Sequence, residues 1–388
     1  MQRNWILGLL FMVSVDAFAE QQDLTAMQVH QQKIALGKLI FHDNNLSEPA
    51  GQSCGSCHQT ENAFSSPGNV VTPGANPNLF GNRNAPSIAY VKYNPVLHWD
   101  FEEKHWVGGF FYDGRETNLQ SQADKPMTNP LEMGNRSNKE VVAKVKVAPY
   151  AAMFKQLYGE QVFKDTDTAM DAVIDALVSY EHGPEFAKFS SKYDWYLSGK
   201  IKLTKLEQLG LEVFEAEDKG NCAACHISQV DASGRPPLFT DYTYDNLGLS
   251  KPRSLPFFDM AKHHNPSGAK YVDHGLSLNP NIHDNQEQIG KFKVPTLRNI
   301  AITGPYMHNG IFTELKEVVE FYNTRDIDDK WGKPEVLATV NEDELGDLKL
   351  TELEVEALVA FMKTLTDGYE PTTMELSSAK TSSQKASH

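Results

Sequence analysis

Beyond residue 19 the chain has no apolar run long enough to span a bilayer as a helix, so a polytopic helical membrane protein is excluded. Cysteine is scarce: there are four, and none lies outside two short motifs, which rules out a disulfide-stapled scaffold. Positive charge is also short. Lys and Arg number 36 against 51 Asp and Glu, for a net charge of −15. That balance argues against nucleic acid and against anionic lipid surfaces as partners. It favours a partner with a basic patch, although a solvated acidic surface is the plainer explanation.

The ends carry little fold information. Arg3, the apolar stretch from Trp5 to Val15 and the Ala17-Phe18-Ala19 site read as a cleaved export signal over 1–19. The expected location is therefore the bacterial periplasm, with no membrane span left after cleavage. From Thr372 to 388 the chain is rich in Ser, Lys and Ala, and it is expected to be disordered.

All four cysteines fall in Cys54-Gly55-Ser56-Cys57-His58 and Cys222-Ala223-Ala224-Cys225-His226. The Cys-x-x-Cys-His pattern reads as covalent attachment of c-type haem, with two thiols on the vinyl groups and His58 or His226 on the iron. A disulfide pair, a zinc site and a thioredoxin-like motif are the alternatives. Zinc does not explain a His after each second Cys. A thioredoxin-like motif would need a βαβ context that is not evident.

The halves repeat one plan. Leu36-Gly37-Lys38-Leu39-Ile40-Phe41 precedes the first motif and Leu209-Gly210-Leu211-Glu212-Val213-Phe214 precedes the second, each as a short amphipathic helix. Each half closes on another helical segment, Ala172 to Tyr180 and Val355 to Leu365. This is the arrangement of class I cytochrome c domains, with Gly37 and Gly210 allowing two helices to cross closely. The expected fold is mainly α: two class I cytochrome c-like haem domains, with long loops and little sheet. They span 27–190 and 200–368, with the boundary near Ser190 to Thr204.

Several longer segments resemble the bacterial dihaem cytochrome c peroxidase and MauG superfamily. They are LGKLIFHDNNLS before the first haem motif, RNAPS at 83–87, FYDGRETNLQSQADKPMTNPLEMGN at 111–135, FKVPTLRNIAITGPYMHNG at 292–310 and the closing LVAFMKTLTDG. The resemblance runs from Leu36 to Gly368, with a divergent region around 228–290. It implies one of two chemistries. Dihaem peroxidases reduce hydrogen peroxide with electrons from a small cytochrome or cupredoxin. MauG-like and MbnH-like enzymes use peroxide to reach a high-valent state that oxidises a residue, commonly Trp, on a partner protein.

Axial ligands separate the two. Many family members take a second His for the first haem from the loop after CxxCH, but Phe64 to Asn84 contains none, which implies an open, peroxide-reactive iron behind His58. For the second haem the family's ligand lies fourteen residues after the His of the PYMH segment. Counting from His308 reaches Tyr322, where dihaem peroxidases have Met and MauG-like proteins have Tyr. An anionic phenolate stabilises ferric or higher states, whereas a thioether raises the potential. Met260, Met307 and Met362 are rival ligands, and on the residues alone Tyr322 could equally be a packed helix aromatic.

The resemblance also assigns Glu132 as the acid–base group, Gln122 as the residue orienting peroxide or water, and Pro126 as a pocket wall. Tyr112 stands where the family places a Trp relay between the haems, so the relay falls to Tyr112 or to nearby Trp99 or Trp106. The stretch Glu215 to Asn221 has no aromatic residue where MauG carries a surface Trp, which points away from the methylamine dehydrogenase precursor as substrate. Asn84, Thr303 and Pro305 match the family's calcium donors. The expected function is MauG/MbnH-like oxidation of a partner protein. The alternative is a peroxidase fed by a small redox protein; a pure electron carrier is disfavoured by Glu132, Gln122 and Pro126.

Overall fold

The computed structural model describes residues 9–66 and 68–376, with side chains from residue 25 onward. The chain is mainly helical, and its sheet content is two small antiparallel pairs. The first helix, Leu9–Phe41, is longer than expected: Leu36 to Phe41 forms the end of a 33-residue helix. No Gly or Pro interrupts the chain from residue 9 to residue 36, so nothing local stops it. The first eight residues of the expected export segment lie outside the described residues, and the rest runs into this helix. Among the described residues no helix is long and apolar enough to cross a membrane.

The first half closes with Thr166–Glu181, started by Asp165, whose carboxylate accepts the Thr168 N–H at 2.9 Å. In the second half Lys205–Glu215 and Glu352–Lys363 form the equivalent pair, each opened by a Thr/Glu capping box. Both pairs cross at a glycine. A Cβ on Gly37 would fall onto the Ala176 carbonyl and 2.7 Å from Tyr180 Cβ. A Cβ on Gly210 would fall onto the Ala357 carbonyl and 2.7 Å from Phe361 Cβ. Only a hydrogen fits at either crossing.

Two hydrophobic cores result. One gathers Leu36, Ile40, Phe41, Phe154, Val173, Tyr180 and Phe186. The other gathers Phe214, Phe239, Phe321, Leu358 and Phe361, with Phe361 edge-on to Phe214 at 5.1 Å and to Tyr193 at 5.4 Å. The short helix Lys192–Leu197 occupies the expected boundary and packs with the second core through Tyr193. The final residues of the expected disordered tail, 377–388, lie outside the described residues; Thr372 still donates its N–H to Glu375 at 2.8 Å.

Buried charge joins the cores. Arg298 is fully buried, donates to Asp194 at 2.7 Å and to the Pro237 carbonyl at 2.8 Å, and lies against the faces of Tyr90 and Phe189. Asp367 accepts from Tyr90 in the first core and from Asn299 and the Ser190 N–H. Breaking such a buried pair by removing one partner costs about 3–5 kcal/mol.

Candidate haem-binding active site

Both CxxCH segments line one continuous cavity of about 710 Å³. None of the four cysteines forms a disulfide. Burial pushes the thiols of Cys57, Cys222 and Cys225 up to about 12, and that of Cys54 upward as well. A thioredoxin-like motif needs the opposite shift. The two histidines are prepared identically. His58 Nδ1 lies 2.9 Å from the Phe64 carbonyl and His226 Nδ1 lies 2.8 Å from the Phe239 carbonyl. Each Nδ1–H is thereby held by the backbone, leaving Nε2 as the free lone pair. Burial lowers both imidazole pKa values and favours the neutral, ligating form. This donor set, four unpaired thiols and two oriented imidazoles on one cavity, fits two covalent haems.

Above the first motif, Gln122, Pro126 and Glu132 all line the cavity. Gln122 is carried by the helix Leu119–Ala123, whose start is fixed by Asn118 accepting the Ser121 N–H at 2.8 Å. Pro126 opens the next helical turn, Lys125–Thr128. Glu132 follows in a turn closed by Gly134 N–H to the Asn129 carbonyl at 2.9 Å. Asn135 clamps this turn to the chain ahead of the haem motif, donating to the Leu46 carbonyl at 2.7 Å. Burial raises the Glu132 carboxyl above the ordinary carboxylate range, against the opposing pull of Arg115 and a hydrogen bond from Asn129.

The loop that carries no histidine packs on the Glu132 turn. Ala75 donates its N–H to the Glu132 carbonyl at 2.7 Å, and a Cβ on Gly74 would meet the Leu131 carbonyl at 2.5 Å. Thr72, Pro73 and Gly81 to Asn84 form this side of the cavity.

Tyr322 lines the cavity from the helix Leu315–Thr324, near the second pair of thiols. Burial, then the neighbouring Cys222 and Cys225, push its phenol pKa up in the protein alone. Its position is locked from behind: Gly346 donates to the Tyr322 carbonyl at 2.7 Å, and Asn323 exchanges two hydrogen bonds with Leu350. Met307 and Met362 also reach the cavity, whereas Met260 packs apart from it with Val71, Leu255 and Phe257.

Tyr112 lines the same cavity as both motifs, its ring 6.5 Å from that of His308. Trp99 and Trp106 do not line it. They face each other across strands β1 (His98–Asp100) and β2 (His105–Val107) and pack with Leu97, Tyr244 and Leu276. Being near Tyr112 in sequence does not bring them to the cavity, because the hairpin pairs the two rings within a separate cluster. Asn84, Thr303 and Pro305 do share the cavity wall. Asn84 donates its backbone N–H to the His308 carbonyl at 2.8 Å and its amide to Asn69 and Val70, an orientation that leaves Oδ1 for a cation.

Sequence reasoning gave no role to four further residues on this cavity, Glu181, Lys293, Arg83 and Asp273. Glu181, buried at the end of the first closing helix, lines the cavity with its carboxyl pushed up to about 8. Burial pushes the Lys293 ammonium down to about 7. Arg83 binds Asp273 through two contacts of 2.7 Å and Asp113 through a third, joining the RNAPS segment, the DGR turn and the divergent region.

Comparison with known proteins agrees with this architecture. Residues 31–202 match the di-haem cytochrome c peroxidase family. The chain is 40% identical over 356 residues to the methylamine utilization protein MauG of Paracoccus denitrificans (strain Pd 1222), covering 87% of this chain and 89% of that protein. The diheme peroxidase BthA of Burkholderia thailandensis E264 superposes with a TM-score of 0.77 at 33% identity, covering 88% of this chain and 89% of that one. A MauG-like protein associated with microbial copper homeostasis superposes with a TM-score of 0.64 at 29% identity, covering 87% and 89%. With two oriented CxxCH histidines on one cavity and a relative 40% identical over most of its length, the chain belongs to the MauG/dihaem cytochrome c peroxidase superfamily and is a peroxide-dependent oxidoreductase.

Proposed function

We propose that the chain reduces hydrogen peroxide above His58 and draws the electrons from a second protein by way of the His226 site, in the bacterial periplasm. The observation carrying this reading is Glu132, a carboxyl with a raised pKa on a cavity wall whose facing loop contains no histidine. Covalent haem supplies the redox-active iron when bound. Glu132 takes the proton from the proximal peroxide oxygen and returns it to the distal one. Gln122 orients the bound oxygen, and Pro126 keeps that wall free of a strong ligand. Reduction of one peroxide to two waters consumes two electrons and two protons.

The electron source in this reading is a small cytochrome or cupredoxin, as in a dihaem peroxidase; the diheme peroxidase BthA shares 33% identity and the whole fold. Tyr322 favours a second reading, MauG-like oxidation of a residue, such as Trp, on a partner. A phenolate on the second iron suits storing oxidising equivalents better than accepting electrons from a carrier. Asn84 with the carbonyls of Thr303 and Pro305 is the proposed calcium site. Steady-state peroxide consumption with a reduced small cytochrome, run beside mass spectrometry of the co-encoded partner, tests both. Fast turnover with an unmodified partner supports the peroxidase. A mass change on the partner with slow turnover supports the second reading, and no peroxide consumption refutes both.

A further inference from the structure

We propose that the β1–β2 hairpin is the electron port of this enzyme, with Trp99 and Trp106 relaying electrons from a protein docked over Phe101 toward Tyr112, which shares its cavity with the His226 site. The proposal rests on the reading that the electrons come from another protein.

The geometry begins with a cluster of aromatic rings at the surface. Trp99 and Trp106 are direct cross-strand partners, with ring centroids 5.5 Å apart and edge to face. The His283 ring touches both, at 4.7 and 5.1 Å, and is exposed to solvent. Inward, Trp106 packs on Tyr244. Tyr244 belongs to β3 (Tyr244–Asp245), which pairs with β4 (Phe292–Lys293) so that Tyr244 stands opposite Lys293. Lys293 in turn donates its N–H to the Tyr112 carbonyl at 2.8 Å. Tyr244 also abuts the DGR turn: a Cβ on Gly114 would lie 3.0 Å from its ring. Packed aromatic rings therefore lead from solvent to Tyr244, and strand pairing with one backbone hydrogen bond joins Tyr244 to Tyr112.

Trp106 has a property suited to a relay. It is buried, and its indole N–H has no hydrogen-bond partner among the described residues. A buried N–H normally finds an acceptor. Without one, an indole that loses an electron keeps its proton, so it can be refilled without waiting for a proton to return. Tyr112 lacks this option, because a phenol gives up its proton on oxidation.

The outer end is built for a charged partner. The turn between the strands is held by Asp100, whose carboxylate accepts the N–H groups of Glu102 at 2.8 Å and Glu103 at 3.1 Å. It presents Phe101 at 84% exposure, flanked by exposed Glu102 and Glu103, with Asp284 and Glu287 exposed on the neighbouring His283 segment. An apolar centre with an acidic rim fits a small redox protein whose exposed redox group is ringed by basic residues. The stretch Glu215 to Asn221 before the second CxxCH has no aromatic residue, so it offers no competing exit.

The test uses the dihaem holoenzyme, peroxide and no donor. The two electrons then come from the protein itself: tryptophan and hydrogen peroxide give hydroxytryptophan and one water. Peptide mass spectrometry is expected to find one added oxygen on Trp99, with Trp195 unmodified as the control. In Trp106→Phe, with haem spectra and melting unchanged, the Trp99 modification is expected to disappear, and reduction by a basic monohaem cytochrome c to slow by about an order of magnitude. Glu102→Lys with Glu103→Lys is expected to slow the cytochrome while leaving Trp99 modification intact. Peroxide consumption with Trp99 unmodified, or Trp99 modification unchanged in Trp106→Phe, would overturn the port and leave the peroxidase reading standing. A holoenzyme that consumes no peroxide overturns both.

Discussion

Glu181→Gln is expected to stabilise this protein increasingly as pH rises. Glu181 is 8% exposed at the end of the first closing helix, and no ion pair neutralises it among the described residues. Burial moves its pKa from 4.5 to about 8. Because the folded value is raised, the folded chain holds a proton that the unfolded chain releases between those two values. The associated stability is fully present below pH 4.5 and is lost as pH rises through about 8. At 1.36 kcal/mol per pH unit, holding the acid neutral costs about 3 kcal/mol at pH 7 and about 5 kcal/mol once it ionises. Gln keeps the shape and cannot ionise, so the variant escapes that cost. Denaturant unfolding of the holoenzyme at pH 5 and pH 8, wild type beside variant, reads the effect. The stability difference should grow by about 3 kcal/mol in favour of Gln between the two. An equal difference at both pH values would refute the reasoning, because it would mean Glu181 finds a partner that holds its charge.

Glu132→Gln should slow the reaction with peroxide by about 10²- to 10⁴-fold, the usual worth of a placed acid–base group. In wild type that rate should rise through an apparent pKa above the ordinary carboxylate range, and stopped-flow profiles of the Gln variant should lose this limb. Tyr322→Met should alter the absorption spectrum of the second haem and leave that of the first in place; an unchanged spectrum removes Tyr322 as ligand. Gly210→Ala should cost about 1–3 kcal/mol or more in thermal unfolding, because the added methyl meets the Ala357 carbonyl rather than a movable side chain.

What was legible in the sequence was what short range decides. The haem motifs, the four paired helices and the two crossing glycines each depend on spacing within a few residues. Gln122, Pro126 and Glu132 were named through the family resemblance, and two short helices and a turn within eleven positions bring all three to the cavity wall. Glu181 was not, because its chemistry comes from burial against a cavity that forms only when distant segments meet. Asp273 lies 190 residues from Arg83, so its role in fixing Arg83 could not be read locally. The placement of Trp99 and Trp106 was not legible either. Their closeness to Tyr112 in sequence suggested a shared site, while cross-strand pairing placed both rings in a separate cluster.

The two haem motifs share helix pairs, crossing glycines and histidine tethers, so their difference must come from what covers each one. Over the first lies a loop, residues 72–84, tied by backbone to the turn that carries Glu132. A loop held that way leaves a carboxyl and an amide facing the cavity, and supplies no strong iron donor. Over the second lies a helix, Leu315–Thr324, pinned by Asn323 and by Arg325, which donates to the Leu247, Asn341 and Leu345 carbonyls. A helix fixed at its last turn can hold one side chain at one place, and here that side chain is Tyr322. A cover without a strong donor suits a small reactant that must enter and leave, and a pinned helix suits a permanent ligand. In the proposed function the division of labour between the halves thus follows from what each cover presents, Glu132 and Gln122 beside the first motif and Tyr322 beside the second, while the repeated scaffold beneath stays the same.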